Sequence, residues 1–248
     1  MATHRHGLDT KFYFHTLDFT PYVEEVDPSF ERDLAEYAPL SASWKSSLPG
    51  LRSITMSLAG LHDSTDDLIQ DVAWSIFDGS TSPVFAYLPN TDTIEYAAYC
   101  GDALVNSDKV TAGDDVVRCP VEVIGTDRAD RAKIAHVLAA ETSTGSETAI
   151  DDGAAVEEDL GFEAYLICTA FTATDTLDVI IEDSDDDGVG DAYTTAGTFT
   201  QLTAAGSEHI TVAAGAAALK RYVKVSWTIV DNSGDPEMTF FVAYFRKE

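Results

Sequence analysis

Basic residues are scarce in this sequence of 248 residues, which has seven lysines and eight arginines against 43 acidic side chains. The formal net charge is −28, and the acidic excess is the same, 14, in residues 1–150 and in residues 151–248. A surface of this sign repels nucleic-acid phosphates and anionic lipids. The repulsion of the surface by itself is screened at ~1 M salt, where the Debye length is about 3 Å. The composition predicts a halophilic source, with an acidic protein from an ordinary environment as the alternative.

Long apolar runs and cysteines are also rare. No stretch approaches 18 apolar residues, and the opening MATHRHGLDTKF has no apolar run after its basic residues, so we expect neither a membrane span nor a signal peptide. Cys100, Cys119 and Cys168 do not have the spacing of a disulfide framework or a zinc site. We expect them to be small buried residues, with a Cys100–Cys119 disulfide as the alternative.

Recognisable catalytic motifs are lacking. The sequence contains no nucleophile elbow, zinc-protease motif, phosphate-binding loop or dinucleotide fingerprint. Its six histidines are scattered, apart from a His-x-His pair at residues 4 and 6. Acidic residues are so frequent that no single pair suggests general acid–base catalysis. We therefore expect no enzyme and no cofactor.

β-strand patterns are abundant. Two segments, VDPSFERDL (26–34) and RSITMSLAGL (52–61), alternate apolar and polar residues with the period of a strand. The polar positions of these segments are Asp27, Ser29, Glu31, Asp33, Ser53, Thr55 and Ser57. Between them, residues 35–50 are predicted to form a long Ser-rich loop that carries Tyr37, Trp44 and Leu48. A loop of this length with large apolar side chains is usually functional.

A single amphipathic helix is predicted in DSTDDLIQDVAWSIFDG, where apolar residues recur at helical spacing and Gly79 ends the helix. Residues 127–138 fit either a short helix or a strand. Residues 139–161 are rich in Thr, Ser, Gly and acids, which indicates a linker or a loosely held strand. Short strands with small turns follow, as in a sandwich. The predicted fold is mainly β, with one domain in residues 1–140, a linker in 141–160 and a C-terminal β-sandwich in 161–248.

The order of these segments resembles the major tail tube protein of long-tailed viruses. The resemblance lies in LDFTPYVEEVD, a Ser-rich loop that ends in SLPGLRSITMSLAGLHD, and the amphipathic helix. The second half, from AYLICTAF through KRYVKVSWTIV to TFFVAYFRK, resembles the C-terminal sandwich that many tube proteins carry on the tail exterior. Together with the acidity, the resemblance implies a virus of a halophilic archaeon.

The resemblance implies a tail-tube β-barrel/sandwich domain that stacks as hexameric rings, with the helix outside an inner barrel that conducts viral DNA without specific binding. The seven polar residues of the two alternating segments would then face the lumen; an ordinary half-exposed sheet is the alternative. The loop with Tyr37, Trp44 and Leu48 matches the ring-stacking loop. Implied partners are further copies of the chain and the tail terminator, baseplate or tip, and tape-measure proteins. The implied location is the virion tail, and the host cytoplasm during assembly.

A second class of function remains open from the residues alone. Two acidic β domains also fit a halophilic cell-surface or carbohydrate-binding module. The lack of a visible signal peptide favours the tube protein, because a surface module needs export. Rings or tubes of purified protein would support the first function, and separate globular particles the second.

The segment DSDDDGVGD (183–191) is a candidate metal site. Asp183, Asp185, Asp187 and Asp191 have the spacing of calcium-loop positions 1, 3, 5 and 9, with Gly188 at the turn. Thr194 at position 12 cannot supply the usual bidentate carboxylate, and no helices flank the segment. Two interpretations follow: a weak site for calcium or another hard cation, and an acidic hairpin tip without a ligand.

Overall fold

The computed structural model describes residues 9–37, 46–61, 69–79, 82–108, 111–112, 117–126, 129–153, 161–213 and 219–247. The predicted mainly β class with one helix is confirmed. The described residues contain no closed barrel in the single chain. The elements are β1 (Lys11–Phe14), β2 (Leu17–Asp18), β3 (Val23–Tyr37), β4 (Ser46–Leu61), α1 (Ile69–Asp78), β5 (Val84–Leu88), β6 (Ala97–Asp108), β7 (Thr111–Ala112), β8 (Val117–Gly125), β9 (Asp130–Glu141), β10 (Gly145–Ser146), β11 (Ile150–Asp151), β12 (Phe162–Phe171), β13 (Thr176–Ser184), β14 (Thr194–Thr198), β15 (Gly206–Val212), β16 (Tyr222–Val230) and β17 (Met238–Arg246).

The contacts divide the chain into two compact units. Unit one contains Met1–Pro21, Pro83–Gly101 and Asp130–Glu248, and unit two contains Tyr22–Ser82 and Asp102–Ala129. The predicted division into a domain in residues 1–140, a linker in 141–160 and a C-terminal sandwich in 161–248 stays a prediction. Within that predicted linker, β10 and β11 both pair with β16.

Unit one is a sandwich of two sheets. The strands of the first sheet have the order β15-β12-β17-β9-β6-β5-β1-β2. In the second sheet, β16 pairs with the short strands β10 and β11 and with β13, and β13 pairs with β14. Its main core lies between these sheets and includes Phe162, Leu166, Val179, Val225 and Phe240. Within the ambiguous segment 127–138, residues 130–138 belong to strand β9, which pairs with β17, and residues 127 and 128 lie outside the described residues. All three cysteines of the chain are buried thiols, and none forms a disulfide.

Strand β12 is buried on both of its faces. Phe162, Ala164 and Leu166 point into the main core, whereas Tyr165 and Ile167 belong to a second core together with residues of β1, β5, β9 and β17. This explains why FEAYLICTAF is a nearly continuous apolar run in an antiparallel sheet, where one-sided burial would give alternation.

Unit two contains the β3–β4 hairpin, β7, β8, the end of β6 and the helix α1. Strand β4 pairs with β3 on one side and β8 on the other, and β8 pairs with β6. The helix follows the predicted pattern at Ala73 and Ile76, which are buried. Phe77, which follows Ile76 directly, is 48% exposed, and its ring lies 5.6 Å from that of the exposed Trp74.

Candidate functional site

One face of the β3–β4 hairpin is polar over residues 27–31 of β3 and 53–57 of β4. The antiparallel register sets three pairs of predicted polar residues directly opposite one another: Asp27 and Ser57, Ser29 and Thr55, Glu31 and Ser53. All except the half-buried Thr55 are exposed. Ser29 also donates a hydrogen bond from Oγ to Glu31 Oε1, at 3.3 Å. The sequence period of two thus places these six side chains on a single surface.

The opposite face of the hairpin is apolar on the β4 side. Ile54, Met56 and Leu58 are buried, at 2%, 0% and 2% exposure. Their β3 partners are Phe30, Pro28 and Val26, of which Phe30 remains 49% exposed. The predicted division of the two segments into an apolar and a polar face is therefore observed. The channel-lining role of the polar face stays a prediction.

Asp33 differs from the other six candidates because it lies at an irregularity of the hairpin. The register shifts between Arg32, which pairs with Arg52, and Leu34, which pairs with Pro49. Asp33 is exposed but has no strand partner in this register. The irregularity re-aims side chains locally, as bulges do.

The structure extends the polar face to residues that sequence analysis did not select. Glu122 of β8 pairs with Ser57, and on its other side with Ser107 of β6. Its Oε2 accepts a hydrogen bond from Asn106 Nδ2 at 3.0 Å. The alternation in VEVIG, where Glu122 lies between the buried Val121 and Val123, indicates a polar residue on one face of a strand. The position of Glu122 beside Ser57 depends on strand pairing, which the sequence alone does not give.

Two of the predicted ring-stacking residues, Tyr37 and Leu48, belong to β3 and β4, next to the segment that connects these strands. Residues 35–37 and 46–50 are paired strand rather than loop, because Ala35 pairs with Leu48 and Tyr37 with Ser46. The prediction of a loop over 35–50 is wrong at both flanks, where a Ser-rich sequence continues a strand pair. Trp44 lies outside the described residues. The stacking role of Tyr37, Trp44 and Leu48 stays a prediction.

The acidic segment 183–191 joins β13 to β14, and the carboxylates of Asp183, Asp187 and Asp191 accept hydrogen bonds within the chain, whereas Asp185 is exposed and donates its backbone N–H to Asp191 Oδ2 at 3.0 Å. The buried Asp183 accepts hydrogen bonds from Thr194 Oγ1 and from the Lys220 backbone N–H, both at 3.0 Å. Asp187 accepts from the Tyr193 hydroxyl at 2.6 Å. Asp191 accepts from Lys220 Nζ at 2.7 Å, and this bond is the main reason why the pKa of Asp191 is lowered.

Asp186, which is not one of the four candidate ligands, organises the tip. Its Oδ1 accepts from the Asp191 backbone N–H at 3.0 Å and its Oδ2 from the Gly190 N–H at 2.6 Å. These bonds, the Asp191 N–H first, hold the pKa of Asp186 below its usual range. Asp187 and Gly188 adopt φ of 60° and 78°, as the tight turn requires.

The four candidate aspartates do not converge into a ligand set in this segment, where donors from Lys220, Tyr193 and Thr194 occupy carboxylate oxygens. Bonding of this kind is sufficient to explain an acidic hairpin tip. Calcium binding stays a prediction, and a cation would have to displace these donors. Isothermal titration with calcium in high salt, with Asp185→Ala and Asp187→Ala combined as the comparison, decides it.

Comparison with known proteins yields structural likeness only. No protein-family model and no curated protein matches the sequence. The virion of a native gene transfer agent particle matches at 17% identity and a TM-score of 0.42, over 51% of this chain and 98% of that chain. The tail of an empty gene transfer agent particle with C6 symmetry matches at 18% and 0.42, over 52% and 98%. The Dit hub protein of phage SPP1 matches at 10% and 0.37, over 95% and 99%. No role is transferred to this chain at these scores.

Proposed function

We propose that this protein is a structural subunit of a viral tail, which self-assembles as stacked hexameric rings into the tube through which viral DNA passes. The observation that carries the proposal is the polar face of the β3–β4 hairpin, where Asp27, Ser29 and Glu31 lie opposite Ser57, Thr55 and Ser53. The order of segments in the sequence, which resembles tail tube proteins, supports the same function.

The chemistry of this face suits passage of DNA. Protein affinity for DNA comes mainly from Lys and Arg side chains that neutralise phosphates. The six paired positions of the face contain carboxylates and hydroxyls and no cation. Carboxylates repel phosphates and hydroxyls bind them only weakly, so a channel lined by this face does not retain DNA.

The edge of the hairpin offers a way to close a ring. Among the described strands, β3 pairs with β4 alone, so no described strand of the same chain lies along its other edge. Charged side chains at Glu25, Glu31 and Arg32 discourage random pairing of such an edge. We propose that a strand of the neighbouring subunit pairs with β3, so that hairpins from six copies form the inner barrel.

In this proposal the protein has no catalytic function and no cofactor. Its partners are other copies of itself within the tube, the terminator and the baseplate or tip at the tube ends, and the tape-measure protein inside. It acts in the virion tail after assembly in the cytoplasm of a halophilic archaeal host.

Electron microscopy of the purified full chain in multimolar salt tests the assembly. We expect rings or tubes with a central channel. Monodisperse globular particles across a range of concentrations would contradict the proposal and would favour the alternative, a halophilic cell-surface or carbohydrate-binding module.

Cysteine labelling tests which face lines the channel. The three native cysteines are buried, so a new cysteine at Ser29 or Ser57 is the reactive one. In tubes, we expect a small maleimide to react at these positions and a bulky polymer-linked maleimide to be excluded. The matched control is a cysteine at Asp235, which is exposed in unit one. Equal reaction of the bulky reagent at Ser29 and Asp235 in intact tubes would show that the hairpin face lies outside.

A further inference from the structure

A buried histidine and two glutamates meet near the end of β9. His136 is fully buried, and its Nε2 has no hydrogen-bond partner among the described residues. Nε2 lies 3.6 Å from Glu141 Oε1 and 3.8 Å from Glu147 Oε1. Unpartnered polar atoms at full burial are rare and indicate a missing interaction.

The other ring nitrogen fixes the state of the histidine. Nδ1 lies 2.5 Å from the Val137 carbonyl oxygen, so it carries the proton and donates to that oxygen. The neutral imidazole has only this one N–H, so Nε2 is its unprotonated nitrogen. Nε2 therefore presents a lone pair toward two carboxylates, an arrangement that is repulsive unless a cation lies between them.

The distances distinguish a metal ion from a proton. A charged N–H···O bond to a carboxylate is about 2.7–2.9 Å long, and a separation of 3.6 Å is not a hydrogen bond. Two ligands on one tetrahedral ion, with metal–ligand bonds of about 2.1 Å, lie about 3.4 Å apart. The observed 3.6 and 3.8 Å are close to this second value.

The surroundings hold the histidine in place. Its ring stacks on Phe240 at 4.3 Å between centroids and meets the edge of Trp227 at 4.9 Å. The Trp227 indole N–H donates to the Ser143 carbonyl at 2.9 Å, and the Glu147 N–H donates to the Val225 carbonyl at 2.9 Å. A ring fixed by packing, with its second nitrogen bonded to a carbonyl, is the usual state of a metal-binding histidine.

We propose that His136, Glu141 and Glu147 bind one divalent transition-metal ion, with zinc as the representative. One imidazole and two carboxylates suit zinc or a similar ion better than calcium or magnesium, which prefer oxygen ligands alone. No group of three such ligands is preformed among the described residues, so the ion draws the two glutamates inward. Their side chains are 27% and 23% exposed and have room to move. The bound ion thereby holds residues 142–147 against the end of β9.

The test uses zinc and the full chain in high salt, which suppresses diffuse binding to the acidic surface. All samples carry His4→Asn and His6→Asn, so that the N-terminal pair does not bind zinc. After treatment with a chelator, we expect calorimetry to show one zinc ion per chain and a raised melting temperature. Magnesium at the same concentration should give neither.

Variants assign the site. Glu141→Gln and Glu147→Gln should each weaken zinc binding at least tenfold, because each removes a charged ligand. The matched control is Glu25→Gln combined with Glu237→Gln, which removes two exposed charges elsewhere and should leave the affinity unchanged. His136→Phe keeps a ring between Phe240 and Trp227 and should abolish binding; if it fails to fold, the glutamate variants decide.

Nitrogen NMR supplies an independent readout. Zinc should shift the Nε2 resonance of His136 while Nδ1 stays protonated. The proposal is overturned by absence of saturable zinc binding, by binding that the glutamate variants do not weaken, or by an imidazolium already present in the metal-free protein at pH 7. These outcomes are independent of tube formation, since the site lies within unit one of a single chain.

Discussion

A single buried hydroxyl holds the acidic segment 183–191 in shape. Ser184 is fully buried, and its Oγ accepts from the Gly188 N–H at 2.8 Å and the Asp186 N–H at 3.3 Å. The same hydroxyl donates to the Asp191 carbonyl at 2.6 Å. The backbone groups of three positions, Asp186, Gly188 and Asp191, thus converge on one side chain that carries no charge.

Ser184→Ala removes these bonds. We expect the free energy of unfolding in high salt to fall by about 1–3 kcal/mol, because three partly buried backbone groups lose the hydroxyl that bonds them. Ser53→Ala, at an exposed strand position, is the control and should stay within about 0.5 kcal/mol of the parent. A loss at Ser184 no larger than that of the control would mean that water replaces the hydroxyl.

The Asp151–Arg221 pair predicts a pH dependence of stability. Arg221 Nε and Nη2 donate to the two Asp151 oxygens at 2.7 Å each, and the Gly153 N–H donates at 2.8 Å. The arginine bonds, aided by Gly153, lower the pKa of Asp151 to about 2. Because the folded pKa lies below the unfolded value of about 3.9, the pair stabilises the fold above that pH and loses its effect as pH falls toward 2.

Asp151→Asn should therefore lower the melting temperature at pH 7 and have a shrinking effect from about pH 4 downward. The measurement is the difference in melting temperature between parent and variant over this pH range. Asp178→Asn, at a half-buried aspartate with a neutral partner, Gln201, is the control. A difference that stays constant down to pH 2 would show that the ion pair is not its source.

For individual residues, the sequence predicted the turn at 183–191 but not the hydrogen bonds that hold it. The Asp and Gly content of 183–191 indicates a hairpin tip, and β13 and β14 do flank it. The spacing of the aspartates suggests ligands, yet Lys220, far along the chain, donates to two of them. Partners that distant in sequence depend on tertiary packing, and local spacing contains no information about them.

At the scale of elements, the β3–β4 hairpin shows what period two predicts well. Alternation in residues 26–34 and 52–61 gives the right faces because burial of Ile54, Met56 and Leu58 fixes the register. The ends of these strands were not predictable. Residues 46–50 are rich in Ser and Pro, which local propensity assigns to a loop, but pairing with 34–37 overrides that propensity.

The ring-stacking loop gives a prediction at this scale. Trp44→Ala and Leu48→Asp should leave the far-ultraviolet circular dichroism and melting temperature of the unassembled chain unchanged, and should block growth of tubes. We expect this because the next ring, rather than the same subunit, buries these side chains. Met56→Asp, at a buried position, is the contrasting control and should unfold unit two. Unfolding by the loop variants would place the loop in the subunit core.

For the whole molecule, charge is the dominant property. A net charge of −28 on one chain becomes a formal −168 on a ring of six. Repulsion of this kind acts over about 10 Å at 0.1 M salt and over about 3 Å at 1 M.

In the described part of the chain, no helix has the length and apolar content to cross a membrane.

The melting temperature should therefore fall as sodium chloride is lowered from multimolar concentration toward ~0.1 M, and rings should loosen. A variant with Asp27→Asn and Glu31→Gln, which carries two fewer exposed charges, should lose less on dilution. Differential scanning calorimetry across the salt series is the measurement. A midpoint that is flat, or that rises on dilution, would contradict a halophilic origin of the acidity.

The burial of β12 on both faces has a consequence for synthesis on the ribosome. The second core joins Tyr13 and Val84 to Tyr165 and Phe241, so side chains made early wait for partners made more than 80 residues later. Strand β9 likewise obtains its neighbour β17 only when residues 238–246 emerge. Such distant pairing folds slowly and leaves apolar surface open meanwhile. We therefore expect the nascent chain to bind chaperones, and we expect a chain truncated before β17 to aggregate rather than to form a smaller folded protein.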